Sequence, residues 1–225
     1  MSKVFPLLLA LASVALPLRA GTHAAAGVKA GIALSGLTST AEGFQYYLGY
    51  ELGGLSVGVL QGFQAGFFKA FDLSRRLQLQ PEIVYALRGG DASTTTLYDD
   101  IVYRIRISYV EFPLLLKYRM WSRGAFSVAV FAGPYAALKL KAEKCSRIWN
   151  EEESARIENV KTFDYGIILG LSGEHQSRLG RVLLDLRAGY GLNNIVAPLP
   201  GAIPIHSGQD TIRNAYLSIL VGYGF

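Results

Sequence analysis

The sequence predicts an all-β protein: an eight-stranded antiparallel up-and-down transmembrane β-barrel that follows a cleaved signal peptide. Three observations predict it. Hydrophobic residues make up 51% of the 225 residues and charged residues only 17%, against about a quarter in ordinary soluble domains. Apolar and polar residues alternate with a period of two through most of the chain, which is typical of strands with two different faces. The links between predicted strands alternate between short and long, as in barrels of the bacterial outer membrane.

The first 26 residues have the three parts of a secretory signal peptide. Met1 to Lys3 is a short basic start, Val4 to Leu18 is apolar and uncharged, and small residues follow. The apolar run is shorter than the roughly twenty residues that a membrane-spanning helix needs. We therefore expect cleavage after Ala20 or Ala26, which leaves 27–225 as the barrel domain. An uncleaved membrane anchor is the alternative.

The first two predicted strands are 27–36 and 57–71. The first alternates strictly, with Val28, Ala30, Ile32 and Leu34 opposite Lys29, Gly31 and Ser35. The second lies in an uncharged run with glycine at positions 54, 58, 62 and 66. Glycine at every fourth residue also occurs in packed transmembrane helices, but an even spacing places all four glycines on one face of a strand. The strand interpretation is preferred because it extends to every later segment.

The next three predicted strands are 76–88, 102–119 and 125–139. In 76–88, leucine and isoleucine alternate with Gln78, Gln80, Glu82 and Arg88. In 102–119, the apolar positions shift from odd to even numbers near Ser108 and Tyr109, which predicts a bulge or a bend. In 125–139, the outer set is Phe126, Val128, Val130 and Ala132, while Phe131 and Tyr135 fall on the inner face.

The last three predicted strands are 161–174, 180–192 and 212–225. Each has an apolar face opposite a face of glycine and polar residues. The apolar faces begin at Phe163, Val182 and Ala215, and the opposite faces begin at Asp164, Arg181 and Asn214.

The predicted links fit a barrel with both termini on the periplasmic side. Short links are predicted at 72–75, 120–124 and 175–179, and long links at 37–56, 89–101, 140–160 and 193–211. Closure is expected because backbone groups in hydrocarbon must all be paired, so no strand edge can remain open. Aromatic residues lie near both predicted rims, where ring side chains favour the headgroup layer: Tyr85, Tyr103, Phe163 and Tyr190 beside long links, and Phe71, Tyr118, Trp121, Phe126, Tyr223 and Phe225 beside short ones.

Charged residues recur on the predicted inner faces. They are Lys29, Glu82, Arg88, Glu111, Lys117, Asp164, Arg181, Asp185 and Arg187. An eight-stranded barrel is just wide enough for side chains to fill it, and buried charges need partners. We expect these residues to plug the lumen, with Glu82 and Glu111 sharing Arg187 as a basic partner across it. The alternative is a gated path for protons or ions.

Several short motifs are similar to those of a known family. They are Gly27 to Gly31, Leu79 to Glu82, Tyr109 to Tyr118 with its Glu111 and Pro113, and the terminal Gly222 to Phe225. With these motifs the chain resembles the PorT-like outer-membrane β-barrel family common in Bacteroidota. The resemblance implies an integral protein of a Gram-negative outer membrane, in contact with outer-membrane lipid. It also implies that Phe225 is an assembly signal for the barrel-assembly machinery. The family includes members linked to secretion, so envelope or secretion partners of the long loops are implied as well.

No catalytic site or cofactor is predicted. His206, Ser207 and Asp210 are the only triad-like cluster, and they lie within one long link without a strained elbow or an oxyanion hole. His23 falls near the signal cleavage sites and His175 in a short link. The acidic stretch Glu151 to Glu153 and the single cysteine, Cys145, fall in the link 140–160, where they indicate a solvated loop and no metal site.

The positive net charge does not indicate nucleic acid as a partner. The formal charge is +5, but lysine and arginine are scattered along the chain. We expect a non-enzymatic barrel with a structural, adaptor or loop-mediated binding role. The alternatives are a narrow porin-like channel, a secretion-associated barrel and, less favoured, an outer-membrane lipid hydrolase. A soluble calycin-like barrel would need an apolar lumen and a polar outside.

Overall fold

A computed structural model describes residues 25–38, 56–95, 100–148, 151–157, 159–195 and 211–225. Ten strand segments are present in this part of the chain. They are β1 (Ala25–Thr38), β2 (Ser56–Gly58), β3 (Leu60–Asp72), β4 (Leu77–Thr95), β5 (Asp100–Arg123), β6 (Phe126–Ile148), β7 (Glu151–Arg156), β8 (Phe163–Ser177), β9 (Gly180–Gly191) and β10 (Arg213–Gly224). The predicted signal peptide lies outside the described residues apart from Ala25 and Ala26, which begin β1.

The strands close into an eight-stranded antiparallel barrel, as predicted. Neighbours follow the order β4, β3, β1, β10, β9, β8, β6 and β5, and β5 pairs with β4 to complete the circle. The short β2 precedes β3 and pairs with β4 as well, so the two segments form one wall strand. The remaining segment, β7, pairs with β6 and lies beyond the barrel wall. No helix in the described part of the chain has the length and apolar character needed to cross a bilayer.

The two ends of the barrel differ as the sequence predicts. At one end, here called the turn end, lie Ala25, Phe225 and the short links 73–76, 124–125 and 178–179. The β5–β6 turn is tight, and Gly124 adopts a φ of +59° there, a left-handed conformation that glycine adopts without penalty. The opposite end, here called the loop end, carries the other connections.

Two predicted long links are largely strand. β4 continues to Thr95 and β5 begins at Asp100, so only 96–99 separates them, where a loop over 89–101 is predicted. β6 continues to Ile148 and pairs with β7, within the predicted link 140–160. These longer strands form a sheet, here called the extension, which rises from the loop end on β4, β5, β6 and β7. Cys145 and Glu151 to Glu153 therefore lie in strands of this sheet and not in a loop.

The alternation of the strands separates lipid-facing from interior side chains. In β9, for example, Leu184 and Leu186 are 47% and 44% exposed, whereas Leu183 and Asp185 are 1% and 0% exposed. Five of the six aromatic residues predicted at the turn-end rim are exposed, among them Trp121 at 50% and Phe126 at 57%, and Phe71 is half-buried. The large apolar residues on the outside and the charged residues inside give the reverse of a soluble protein's arrangement.

The irregularity predicted near Ser108 and Tyr109 is present, although its cause differs from the expectation. The register between β5 and β6 shifts at this point because Leu140 is an extra residue in β6, between the partners Lys139 and Lys141. β5 itself keeps its alternation, so Ile107 is buried with Tyr109. The odd-numbered side chains of β5 thus point inward on both sides of this point. Their character changes because the interior is apolar near the loop end and holds charged residues below it.

Candidate functional site in the barrel lumen

A four-residue ion cluster fills the middle of the lumen. Lys29 from β1 contacts Glu82 at 2.8 Å and Asp185 at 2.9 Å. Arg187 donates to both oxygens of Glu82, at 2.8 and 2.9 Å, and to Asp185 at 2.7 Å. Two cations and two carboxylates balance one another. Such mutual pairing is what makes burial of four charges tolerable.

Neutral side chains complete the hydrogen bonding of this cluster. Gln80 donates to Glu82 at 2.6 Å, and the Ser172 hydroxyl donates to Asp185 at 2.6 Å. All four charged side chains have 2% exposure or less. The cluster joins β1, β4, β8 and β9, so it ties together walls on opposite sides of the barrel.

The predicted partner of Glu82 is correct, and the predicted partner of Glu111 is wrong. Arg187 does bind Glu82 across the lumen, but Glu111 pairs with Arg88 instead. Arg88 Nε and Nη2 donate to Glu111 Oε1 at 3.0 and 2.9 Å, and Nη2 also donates to Oε2 at 2.9 Å. The reason is proximity, since Arg88 and Glu111 lie on the paired strands β4 and β5, which leaves Arg187 to Glu82 and Asp185.

The Arg88–Glu111 pair is enclosed by an aromatic ring and an amide. The Arg88 guanidinium lies over the ring of Tyr216, 3.1 Å from its centroid, a cation–π contact. With its amide oxygen turned towards Arg88, Gln64 accepts a hydrogen bond from Nη2 at 2.8 Å. Gly189 makes room for Tyr216, because a Cβ at this position would collide with the tyrosine ring.

Another ion cluster closes the turn end of the lumen. Lys117 donates to Glu174 at 2.8 Å and to Ser172 at 2.9 Å, and Arg181 donates to Glu174 at 3.1 Å. Because Ser172 also binds Asp185, the two clusters are continuous. Glu174 is not among the predicted plug residues, although its even position places it on the same face of β8 as Asp164.

Asp164 is held by neutral donors near the loop end. Its carboxylate accepts hydrogen bonds from Asn214 at 2.9 Å, Tyr135 at 3.3 Å and the backbone amide of Tyr165 at 2.9 Å. Asn214 also donates to the Tyr109 hydroxyl at 3.3 Å. Among the lumen carboxylates of the described residues, Asp164 thus differs from the others, because neutral hydrogen-bond donors and not a direct ion pair hold it.

The predicted charged residues are all directed into the lumen. Nine charged side chains of the described residues are buried there and Arg181 is 14% exposed. Together they comprise five bases and five acids: Lys29, Arg88, Lys117, Arg181 and Arg187, with Glu82, Glu111, Asp164, Glu174 and Asp185.

An apolar layer, here called the cap, covers the loop end of these charges. Its members are buried and form one cluster with the tyrosines of the lumen. They come from the strands and from the links around them: Leu37, Ile107, Ala142, Val160, Ile195 and Ile212. This layer is not predicted from the sequence. Ile105 and Ile107 could have indicated this layer, because they are apolar and their odd positions lie on the same face of β5 as the inward residue Glu111.

Side chains fill the middle of the lumen in the described structure, and two pockets lie at its turn end. One, lined by Gln78, Lys117 and Glu174 among others, has a volume of about 10 Å³, which is room for a single water at most. The other, lined by Arg119, Glu174 and Arg181 among others, has a volume of about 160 Å³. Within the described ranges, no cluster of three or more His, Cys, Asp or Glu side chains could hold a metal ion. Chemically, the arrangement fixes the positions of eight strands and leaves little space for a substrate.

The candidate catalytic residues do not form a described site. His23, His206, Ser207 and Asp210 lie outside the described residues. His175 lies at the turn end of β8, where its ring packs against Phe126 with 4.3 Å between centroids.

A profile of the outer membrane protein beta-barrel domain matches residues 17–197. The chain belongs to this family. Its members' fold agrees with the closed barrel found here, and the chain is thus an eight-stranded barrel protein of the Gram-negative outer membrane. No curated protein sequence matches.

Solved outer-membrane barrels share low sequence identity with this family member. OprG from Pseudomonas aeruginosa has a TM-score of 0.47 and 13% identity, covering 91% of this chain and 97% of that one. Neisserial surface protein A has a TM-score of 0.46 and 12% identity, covering 89% and 97%. The outer membrane protease OmpT from Escherichia coli has a TM-score of 0.35 and 9% identity, covering 90% and 95%.

Proposed function

We propose that this protein is a non-enzymatic, non-conducting barrel that anchors a binding or adaptor surface at the outer face of the membrane. The observation that supports this role most strongly is the lumen, in which charges are paired and an apolar cap covers them. A water-filled pore needs a continuous polar path, and the cap interrupts it. Binding is then left to the loop end and the extension, which carry the long connections.

Planar bilayer recordings test the absence of conduction. We expect the protein to insert without steady unitary conductance, while a general porin in the same bilayer conducts. Insertion is verified by the change in gel mobility on boiling, which marks a folded barrel. A large and steady unitary conductance from the folded form would overturn the proposal in favour of a narrow porin-like channel.

The finer family assignment is also a proposal. The motifs around Glu111 and Pro113 support a PorT-like barrel of Bacteroidota, with envelope or secretion partners bound through the long loops. Affinity purification from a native Bacteroidota membrane with the intact chain tests it. Recovery of no envelope or secretion component beyond those recovered with an unrelated eight-stranded barrel would contradict it.

We further propose that the signal peptide is removed by cleavage after Ala20 or Ala26 and that Phe225 is read by the barrel-assembly machinery. Phe225 is 73% exposed at the turn end, and its backbone amide donates to Ala26 at 2.8 Å. A terminal aromatic side chain pointing outwards is accessible to an assembly factor. Mass spectrometry of the mature protein distinguishes cleavage after Ala20 from cleavage after Ala26, and an intact Met1 would contradict processing.

A lipid hydrolase is the disfavoured alternative and has a simple test. The candidate base in the triad-like cluster is His206, which lies in the sequence between β9 and β10. Esterase activity on outer-membrane lipid that is lost in His206→Ala, with an unchanged heat-modifiable band, would refute the non-enzymatic role. We expect no difference between the two proteins.

A further inference from the structure

A row of basic side chains crosses the outward face of the extension. Arg106 on β5 is directly opposite Glu143 on β6, and Glu143 is directly opposite Arg156 on β7. Directly opposite residues have Cβ atoms about 5 Å apart. Lys141 lies two residues from Glu143 on the same strand and contacts it at 2.6 Å. Arg106, Lys141 and Arg156 are here called the basic row.

The basic row continues the lipid-facing surface of the barrel. Ile105 and Ile107 pack inward against the cap cluster, so Arg106 between them points outward. Lys141 and Arg156 are exposed as well. The row is therefore directed to the same side as the leucines that face the hydrocarbon.

The height of the row matches the lipid headgroups. Below Arg106 on the same face of β5 come Ser108 and then Val110, where the apolar band begins. Two residues at about 3.3 Å each and a tilt of about 45° place Arg106 roughly 5 Å above Ser108. The headgroup layer on each side of a bilayer is roughly 5–8 Å thick. The Tyr85 hydroxyl, which donates to Ser108 at 3.0 Å, lies at the boundary between the two layers.

The charge of the row favours an anion. Three cations surround one carboxylate, Glu143, whose contact is with Lys141. Glu151, Glu152 and Glu153 begin β7 opposite Ile148, Arg147 and Ser146, and thus lie further from the apolar band than Arg156. Arginine binds phosphate in a bidentate geometry, and each cation near an anionic membrane surface strengthens binding about five-fold.

We propose that the basic row binds the phosphate groups of phosphorylated lipid in the leaflet at the loop end. This inference depends on the proposed orientation, in which the loop end faces outwards. It gives the extension a specific role, because strands that rise beside the membrane hold cations against the headgroups of the lipids that surround the barrel.

Lipid titration in neutral detergent tests the proposal with the full-length protein. The probes are fluorescent diphosphoryl lipid A and its dephosphorylated derivative. We expect the wild type to bind the diphosphorylated probe at least ten-fold more tightly than the other. Arg106→Gln/Lys141→Gln/Arg156→Gln is expected to abolish this preference, and Arg106→Lys/Arg156→Lys to retain most of it.

A matched control removes three exposed cations from the turn end. Arg75→Gln/Arg123→Gln/Arg178→Gln changes the net charge by the same amount and is expected to keep the preference. Folding of each variant is verified by its gel mobility before and after boiling. Equal binding of the two lipid probes, or equal losses in both triple variants, would overturn the proposal.

A soluble polyanion distinguishes a lipid ligand from a soluble one. If heparin, a sulfated polysaccharide, binds the basic row and lipid A does not, the surface serves a soluble anionic partner and the lipid proposal is wrong. Bilayer recordings test the non-conducting role, and lipid titration tests the basic row. A failure of one proposal is therefore distinguishable from a failure of the other.

Discussion

The buried pair of Arg88 and Glu111 offers a quantitative test of how the lumen is stabilised. The side chains are 1% and 4% exposed, and three hydrogen bonds between 2.9 and 3.0 Å join them. Arg88→Met leaves an unpaired carboxylate in the packed interior, and Glu111→Leu leaves an unpaired guanidinium. Breaking one side of a buried pair costs about 3–5 kcal/mol, so each single variant is expected to lose roughly that free energy of unfolding.

The double variant is expected to be more stable than the sum of the single losses implies. Arg88→Met/Glu111→Leu removes both charges and refills the space with apolar side chains, a replacement that is often neutral. Two single losses of about 3–5 kcal/mol each and a nearly neutral double variant give an expected coupling free energy of about 6–10 kcal/mol. The exposed pair of Lys141 and Glu143 is the control, since such pairs couple by about 1 kcal/mol or less.

Equilibrium unfolding in urea measures these free energies. The protein is refolded into lipid vesicles and its tryptophan fluorescence is followed, with slopes compared between variants. A double variant destabilised by the sum of the two single losses, with coupling below about 1 kcal/mol, would refute the pairing as the source of stability.

Three further changes probe packing, the cap and assembly. Gly189→Ala is expected to lower the urea midpoint of unfolding because the new Cβ would meet the Tyr216 ring. Gly173→Ala is the control and is expected to leave the midpoint unchanged, since no atom lies within 4 Å of a Cβ there. Equal effects of the two substitutions would contradict the packing of Tyr216 against Gly189. Ile107→Asn puts an amide into the apolar cap and is expected to lower the unfolding free energy by about 3 kcal/mol, so an unchanged midpoint would contradict a buried cap. Phe225→Ala is expected to reduce the heat-modifiable barrel in outer-membrane fractions while refolding normally in detergent, and normal membrane levels would argue against an assembly signal.

The fold follows from the sequence because one physical condition acts on nearly every residue. A strand between lipid and a packed interior must be apolar on its lipid-facing side. Alternation such as that around Leu184 and Asp185 therefore shows that the segment is a strand, which side chains face the lipid and which part of the strand crosses the membrane. Closure then follows from the need to pair every backbone group in hydrocarbon.

The extension was not predictable from that condition. Beyond the apolar band, the outward face of a strand meets water or headgroups. Its outward side chains no longer need to be apolar, so the alternation that marks a strand is lost. The sequence of a segment such as 140–148 therefore resembles that of a loop, although its backbone pairs in the sheet. The extra residue Leu140 also changes the phase of β6, so the alternation beyond it no longer continues the alternation below it.

The sequence predicts most of the charged residues that fill the lumen, but only some of the ion pairs that they form. The alternation shows that Glu111 points inward, but its partner depends on which inward cation of another strand can reach it. The register between β4 and β5 places Val84 opposite Glu111 and Arg88 opposite Ile107, four residues further along β4, so the pair forms through the long Arg88 side chain. Register depends on strand tilt and turn length, and neither is evident from a single strand's pattern.

Carbene footprinting by a hydrocarbon-soluble diazirine tests the central claim most directly, on the unaltered protein in bilayers. Leucines of the same strand serve as internal controls for chemistry. We predict insertion at Leu184 and Leu217, which are 47% and 62% exposed, and none above background at Leu183 and Leu220, which are 1% and 0% exposed. Labelling of Leu183 and Leu220 with Leu184 and Leu217 spared, or equal labelling of all four, would contradict a closed barrel with its charges inside.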